Sequence, residues 1–373
     1  MLAVVSSLWK HLSNVRDYRR IFHIVLLVAI AAVAGYLAQV VRLPGAWLIG
    51  PMLVGMGAAM SGLMRLRFPN WVMFGLQGVI GTLVAGAFDP AAFPKIAANW
   101  IAVLISVSGT LAASVLVGLL LARWSSLHRA TATLGTLPGG ASAMVTMSMA
   151  LGADTPSVAV MQYIRVVFSV LSASLVARLA ITMSGSATST GLGSLAASGT
   201  DTDLLSTYVL TAGIAATGVL VGSRLRIPAG YMILPLVLGV AASEFGIVRP
   251  AWPPGVPEAA YVFMGLSVGL LFDRMALRVI GPQLPAMLAS IMGLITLCGA
   301  LGVLLANLAG TDYLTGFLAT TPGGLDSLPA IALTSGADVS LVVAIQMARL
   351  FGVVLIGPPL ARWLLARGRP RQA

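Results

Sequence analysis

Apolar residues run almost unbroken through stretches near the length of about 20 residues that a helix needs to cross a bilayer. They fall at 22–40, 46–64, 70–87, 96–122 and 155–183, and again at 207–223, 229–246, 258–272, 283–308 and 339–365. Several are rich in small residues, as in Gly50, Gly55, Gly57, Ala58 and Ala59, which suits close helix packing in lipid. Between the fourth and fifth stretch of each half the pattern is broken, at Thr136-Leu137-Pro138-Gly139-Gly140 and at Thr320-Thr321-Pro322-Gly323-Gly324. Proline followed by two glycines ends a helix. In lipid such a break is tolerated only where protein or a polar cavity surrounds it. Its flanking arms, about a dozen residues each, are too short to cross alone. They predict a re-entrant hairpin that enters and leaves by one face.

The two halves are copies. A shift of 184 pairs Pro44 with Pro228, Pro51 with Pro235, Gly55 with Gly239, Gly81 with Gly265 and Phe88-Asp89 with Phe272-Asp273. The same shift pairs Gly152-Ala153-Asp154 with Gly336-Ala337-Asp338, Gln162 with Gln346, Arg165 with Arg349 and Arg178 with Arg362. The chain therefore divides into an N-terminal segment 1–20, a membrane repeat 21–183, a Ser/Thr/Gly-rich linker 184–206, a second repeat 207–367 and a basic tail 368–373.

Composition agrees. With 58% hydrophobic and 9% charged residues and a mean hydropathy of +0.97, the expected class is an all-α polytopic membrane protein. The net charge of +11 is dispersed at segment ends and tails, so it speaks for membrane topology rather than nucleic acid. Lys10, Arg16, Arg19 and Arg20 precede the first apolar run, and Ala32-Val33-Ala34 matches a signal-peptidase pattern. Because 21–41 is the repeat partner of 205–225, that run is read as a retained helix.

Five crossings per repeat would invert the second repeat relative to the first. With the N-terminus inside, sixteen basic residues lie on the cytoplasmic side, four outside (Arg42, Lys95, Arg178, Arg249) and two within helices. If the Pro-Gly-Gly elements crossed fully, the repeats would be parallel and the division fourteen against six. The linker, with Asp201 and Asp203 and no Lys or Arg, reads as external. The charges thus favour inverted repeats in the inner (cell) membrane with both termini cytoplasmic.

Arg165 and Arg349 are the sharpest candidates for chemistry. Asp154 and Asp338 read as N-caps of the last helix of each repeat, which places each arginine about 16 Å deep, near the midplane. An intramembrane arginine faces a partner or a cavity, so two readings stand: a cap that ties down the broken loop, or a direct ligand of an anion. Gln162 and Gln346, three residues earlier, share the same helix face. After each Pro-Gly-Gly a short helix is expected, from Ala141 and from Leu325, whose free N–H groups favour an anion. The candidate solute site is therefore Thr136, Pro138, Gly139, Gly140, Ser142, Gln162 and Arg165 with Thr320, Thr321, Pro322, Gly323, Gly324, Asp326, Gln346 and Arg349. Discontinuous helices meeting at the midplane of two repeats are a recurrent binding-site design of secondary transporters. Asp326 breaks the symmetry, since its counterpart is Ser142. It reads either as a carrier of a coupling proton or cation, or as a cap of the short helix or partner of Arg349.

No catalytic residue, cofactor or metal is assigned. The single Cys298 reads as a small buried hydrophobe, the methionines as packing, and His11, His23 and His128 are scattered. The expected partners are membrane lipid and a small, anionic solute, with no direct nucleic acid; a homo-oligomer is compatible with the sequence.

Thr-Leu-Pro-Gly-Gly-Ala-Ser-Ala-Met at 136–144 and Thr-Thr-Pro-Gly-Gly-Leu-Asp-Ser-Leu at 320–328, each followed by Gly-Ala-Asp and Gln-x-x-Arg, resemble the membrane AbrB-duplication family over 21–183 and 207–367. An acidic residue often follows the Ser or Asp in that family; Ala143 and Ser327 stand there in this chain. The resemblance implies an integral membrane protein, and some members are implicated in regulating gene expression. Many carry an ammonia monooxygenase label, which these residues do not fit, since copper oxygenases need clustered histidines. The family shares its name with a small soluble DNA-binding regulator, but this chain holds no soluble DNA-binding domain. The expected function is a carrier of a small anionic solute at the repeat interface; the alternative is a membrane-embedded sensor or regulator of gene expression.

Overall fold

The computed structural model describes residues 15–62, 68–89, 92–139, 141–184, 204–225, 229–272 and 281–368. The segment 1–14, the linker from 185 to 203, the tail from 369 and Gly140 lie outside them. The described residues form only helices and turns. In the first repeat these are α1 (Val15–Val40), α2 (Ala46–Ser61), α3 (Asn70–Ala87), α4 (Ala92–Ala98), α5 (Trp100–Trp124), α6 (Arg129–Thr136), α7 (Ala141–Ala150) and α8 (Thr155–Ser184). The second repeat has α9 (Leu204–Leu225), α10 (Gly230–Glu244), α11 (Val256–Gly269), α12 (Leu284–Ala309), α13 (Tyr313–Thr320), α14 (Leu328–Ser335) and α15 (Val339–Gly368). Seven of the helices are long and apolar enough to cross a membrane: α1, α3, α5, α8, α9, α12 and α15. Large apolar side chains on them, such as Trp100, Leu175, Leu220 and Leu355, are exposed. That suits a protein whose outer surface meets lipid rather than water.

Two expected boundaries shift for local reasons. The apolar stretch that begins at 96 is divided by Asn99, which leaves helical geometry (φ −100°, ψ 25°) between α4 and α5. The short helix expected from Leu325 begins three residues later, at Leu328. Pro329 explains this. In a helix started at Leu325 its missing N–H would break the first interior bond, whereas within the first turn of α14 that N–H is not needed.

The duplication is visible in the packing. α2 packs against α11 and α3 against α10, so each contact is repeated with the partners exchanged between repeats, and α5 meets its own counterpart α12. Glycine makes the closest of these approaches. A Cβ on Gly265 would lie 2.2 Å from the Leu48 oxygen, and one on Gly81 would lie 2.4 Å from the Met232 oxygen. These are the same pair of positions, with each repeat supplying the glycine once. Residues of both repeats, among them Leu48, Ile80, Val170, Met232, Tyr261, Leu318, Ile331 and Val342, form one buried cluster.

Candidate functional site

The breaks are built by proline. Pro138 and Pro322 disfavour helical geometry in the residue before them. Leu137 (φ −64°, ψ 124°) and Thr321 (φ −56°, ψ 134°) are accordingly extended. Both turns then close alike: Gly139 N–H donates to Leu137 O at 3.0 Å and Gly323 N–H to Thr321 O at 2.8 Å. Each break strands the last carbonyls of the preceding helix in a region without water.

The Gln-x-x-Arg face of the last helix in each repeat supplies the missing donors. Gln162 Nε2 donates to Leu134 O at 2.7 Å and Leu137 O at 3.0 Å, and Arg165 Nη1 donates to Leu137 O at 2.7 Å. In the second repeat Gln346 Nε2 donates to Leu318 O at 3.1 Å. Arg349 Nη1 donates to Thr321 O at 2.7 Å and its Nη2 to Gly323 O at 3.1 Å. Of the two readings of the arginines, the geometry realises the cap, and a cation at a helix C-terminus is also the favourable sign for the dipole. It does not use up the guanidiniums. Nε of both arginines and Oε1 of both glutamines are buried without a hydrogen-bond partner.

Three candidate threonines have their hydroxyl protons engaged by backbone carbonyls. Thr136 Oγ1 donates to Ser114 O at 2.8 Å, Thr320 Oγ1 to Cys298 O at 2.7 Å, and Thr321 Oγ1 to Phe317 O at 2.6 Å. Their side chains tie each short helix to its neighbour or to itself and leave no hydroxyl proton for a solute. Asp326 is neither the cap of the short helix nor the partner of Arg349. Arg349 bonds carbonyls only, and the Asp326 carboxylate instead folds back over Gly324, with Oδ1 2.6 Å from where a Cβ would stand. It accepts its own backbone N–H and lies near enough to the buried Tyr261 to act on it electrostatically. Ser327, at the N-cap of α14, makes no side-chain capping bond either. The Asp326 carboxylate thus sits over the turn from Gly324 to Ser327, while two of the Arg349 nitrogens are held by carbonyls.

Asp338 behaves as expected, accepting from Leu341 N–H at 3.1 Å, whereas the Asp154 carboxylate accepts from Ser157 Oγ. Gly140 and the side chain of Ser142 lie outside the described residues.

The two breaks come together across the repeats. Gly139 abuts Val353 of α15, whose Cγ1 lies 2.3 Å from an ideal Cβ there. Val353 is one helical turn beyond Arg349, so α15 caps the second break and touches the first. The Arg165 and Arg349 charges are close enough to act on each other, and both act on Cys298 of α12. Neither guanidinium has a carboxylate partner among the described residues. Val353, Ser169 and Tyr261 were not anticipated. Ser169 and Val353 stand four residues after their arginines, a spacing that puts them on the same face.

The family described as transition state regulatory protein AbrB matches residues 2–77 and 66–365 of this chain. A protein of Escherichia coli (strain K12) named “Putative regulator AbrB” is 36% identical over 340 residues, covering 91% of this chain and 95% of that protein. “Uncharacterized protein YhjN” of Bacillus subtilis (strain 168) is 26% identical over 360 residues, covering 90% and 92%.

Proposed function

Because the chain belongs to the AbrB family over nearly its whole length, we propose that it is a membrane carrier of a small anionic solute bound where its two repeats meet. The observation that carries this reading is the pair of buried guanidiniums, Arg165 and Arg349, one from each repeat, mutually repelling and matched by carbonyls alone. Cations held together in a low-dielectric region are costly. Carbonyl dipoles offset part of that cost, and an oxyanion would relieve both charges at once. The N-termini of α7 and α14 begin beside the same breaks and favour the same sign of ligand.

On this reading the ten spans are the seven long helices with α2, α10 and α11, and the pairs α6–α7 and α13–α14 are re-entrant hairpins. Arms of 8 and 10 residues in the first repeat reach only about 12–15 Å at 1.5 Å per residue, short of a ~30 Å core. The exchanged contacts α2–α11 and α3–α10 suit a two-fold relation between repeats, and the charge asymmetry of the sequence sets both termini in the cytoplasm of a cell with this protein in its inner membrane. The protein moves its solute rather than transforming it, and its partners are lipid, that solute and, as a homo-oligomer, further copies of itself.

The name of the Escherichia coli relative favours a second reading. In it the same site senses the anion, and an effect on gene expression passes through a partner docked on the cytoplasmic loops. Proteoliposome uptake separates the two. Purified protein would be screened for thermal stabilisation against small organic and inorganic anions, and each hit tested for accumulation. Binding with uptake supports the carrier; binding without uptake supports the sensor; stabilisation by neutral or cationic solutes alone overturns both.

A further inference from the structure

We propose that the carboxyl of Asp326 is a proton-binding site, seated on Gly324 and served by the hydroxyl of Tyr261. This goes beyond the anion site at the guanidiniums, because it concerns the ion that travels with the solute. Only that coupling rests on the carrier reading; the proton site itself does not.

Asp326 stands apart from the acids that cap helices. Asp312 accepts from Thr315 N–H, Asp338 from Leu341 N–H and Glu258 from Gly255 N–H. Asp326 lies in the loop between α13 and α14, inside the second break, and Ser327 rather than Asp326 holds the N-cap position of α14. Residues 320–323 before it and 327–333 after it are buried, whereas 324–326 are partly exposed. The acid is therefore reachable at one short gap in an otherwise closed segment. Glycine makes its seat: Oδ1 lies 2.6 Å from where a Cβ of Gly324 would stand.

The donors of the same loop are used elsewhere. Ser327 Oγ donates to Gly324 O at 3.1 Å, and Arg349 Nη1 and Nη2 donate to Thr321 O and Gly323 O. Arg165 of α8, Arg349 of α15 and Cys298 of α12 act on one another. The titratable group coupled to Asp326 is Tyr261 of α11. Tyr261 is fully buried, and its hydroxyl has no hydrogen-bond partner. A bare carboxylate among apolar residues is costly. A proton added to one of its oxygens removes the charge. A tyrosine O–H turned toward it stabilises the charge instead. The pair thus provides for both states of one carboxyl, and a single proton is all that is exchanged.

The test uses dicyclohexylcarbodiimide, which attaches to protonated carboxyls in apolar surroundings. Full-length protein in detergent would be treated across about pH 5–9, and the labelled fraction of the Asp326 peptide read by mass spectrometry. Label should appear at Asp326 at the acid end and fall about ten-fold per pH unit beyond the midpoint of the profile. Asp326→Asn should abolish it. In Tyr261→Phe the midpoint should rise by about one unit, because the carboxylate loses the O–H that favours it. That variant should keep its fold, since the hydroxyl it lacks has no partner in the structure. Wild type and variant share reagent and buffers, so the reagent's own response to pH cancels. No label at Asp326 anywhere in the range, or a label indifferent to pH, overturns the proton site. An unmoved midpoint in Tyr261→Phe overturns the pairing with Tyr261. Each of these leaves the anion carrier standing, whereas a failed anion screen removes the carrier and leaves the proton site.

Discussion

Arg349 donates through Nη1 to the carbonyl of Thr321 at 2.7 Å, and the Asp326 carboxylate, five residues further along the same loop, takes no part. The charge that anchors the second break is therefore matched to backbone dipoles, not to an acid. Its counterpart Arg165 does the same with Leu137 at 2.7 Å.

This relationship predicts the outcome of a double substitution. Arg349→Gln should destabilise by about 2 kcal/mol or more, since glutamine cannot reach both Thr321 O and Gly323 O and leaves buried carbonyls unpaired. Arg349→Lys should lose less, keeping a charge and donors but not the fork. Adding Asp326→Asn should not restore what Arg349→Gln loses. The two effects should add within about 0.5 kcal/mol, as for groups that are not partners. Unfolding curves of the two single variants and the double variant in detergent are the measurement, and recovery in the double variant would establish an ion pair that the geometry lacks.

The seams between repeats should be intolerant of a single methyl group. At Gly265 and Gly81 an added Cβ would strike the Leu48 and Met232 oxygens at 2.2 and 2.4 Å. Backbone cannot swing aside as a side chain can, so Gly265→Ala should cost about 1–3 kcal/mol or more. Gly57 lies in α2 with nothing within 4 Å. Gly57→Ala should be neutral or stabilising by up to about 1 kcal/mol, from helix propensity alone. Melting temperatures of the two variants side by side test the seam.

The starts of α2 and α10 make a matched pair of opposite sign. Gly45 and Ala229 occupy the same position in the two repeats, both left-handed, at φ 73° and 53°. Alanine is strained there, so Ala229→Gly should stabilise by about 0.5–1 kcal/mol. Gly45→Ala should destabilise by about 1–2 kcal/mol, since it adds that strain and sets a Cβ 2.8 Å from Ile331 Cγ1. Thermal unfolding of both variants provides the comparison; a fall in stability for Ala229→Gly would count against the left-handed assignment.

Inverted repeats require the linker to be external. A cysteine introduced at Ser198 in a Cys298→Ala background should react with a membrane-impermeant thiol reagent added to intact cells. Cys298 itself is buried, so its replacement removes background rather than a surface site. Labelling only after the cells are opened would place the linker in the cytoplasm and exclude the inverted arrangement.

Local chemistry made much of this protein legible before any coordinates. Apolar runs near the length of a bilayer crossing, the shift of 184 between copies and the two proline–glycine breaks are properties of neighbouring residues, and the helices end at Thr136 and Thr320 as those residues dictate. Burial of Arg165 and Arg349, together with their glutamines, also followed from sequence, because a charge inside an apolar run has few places to go. Their partners did not follow. Whether a guanidinium meets a carbonyl, an anion or Asp326 depends on which atoms lie beside it after some 28 residues of chain have turned back, and helical periodicity carries no information on that. The fold of Asp326 over Gly324 and the engaged hydroxyls of Thr136 and Thr320 were decided by packing within each repeat, and the seating of Val353 on Gly139 by packing between them. Sequence alone determined that this chain breaks two helices in the same way. Only the tertiary structure decided what each break faces, because side chains far along the chain close on it: Gln162 and Arg165 on the first break together with Val353 of the other repeat, and Gln346 and Arg349 on the second.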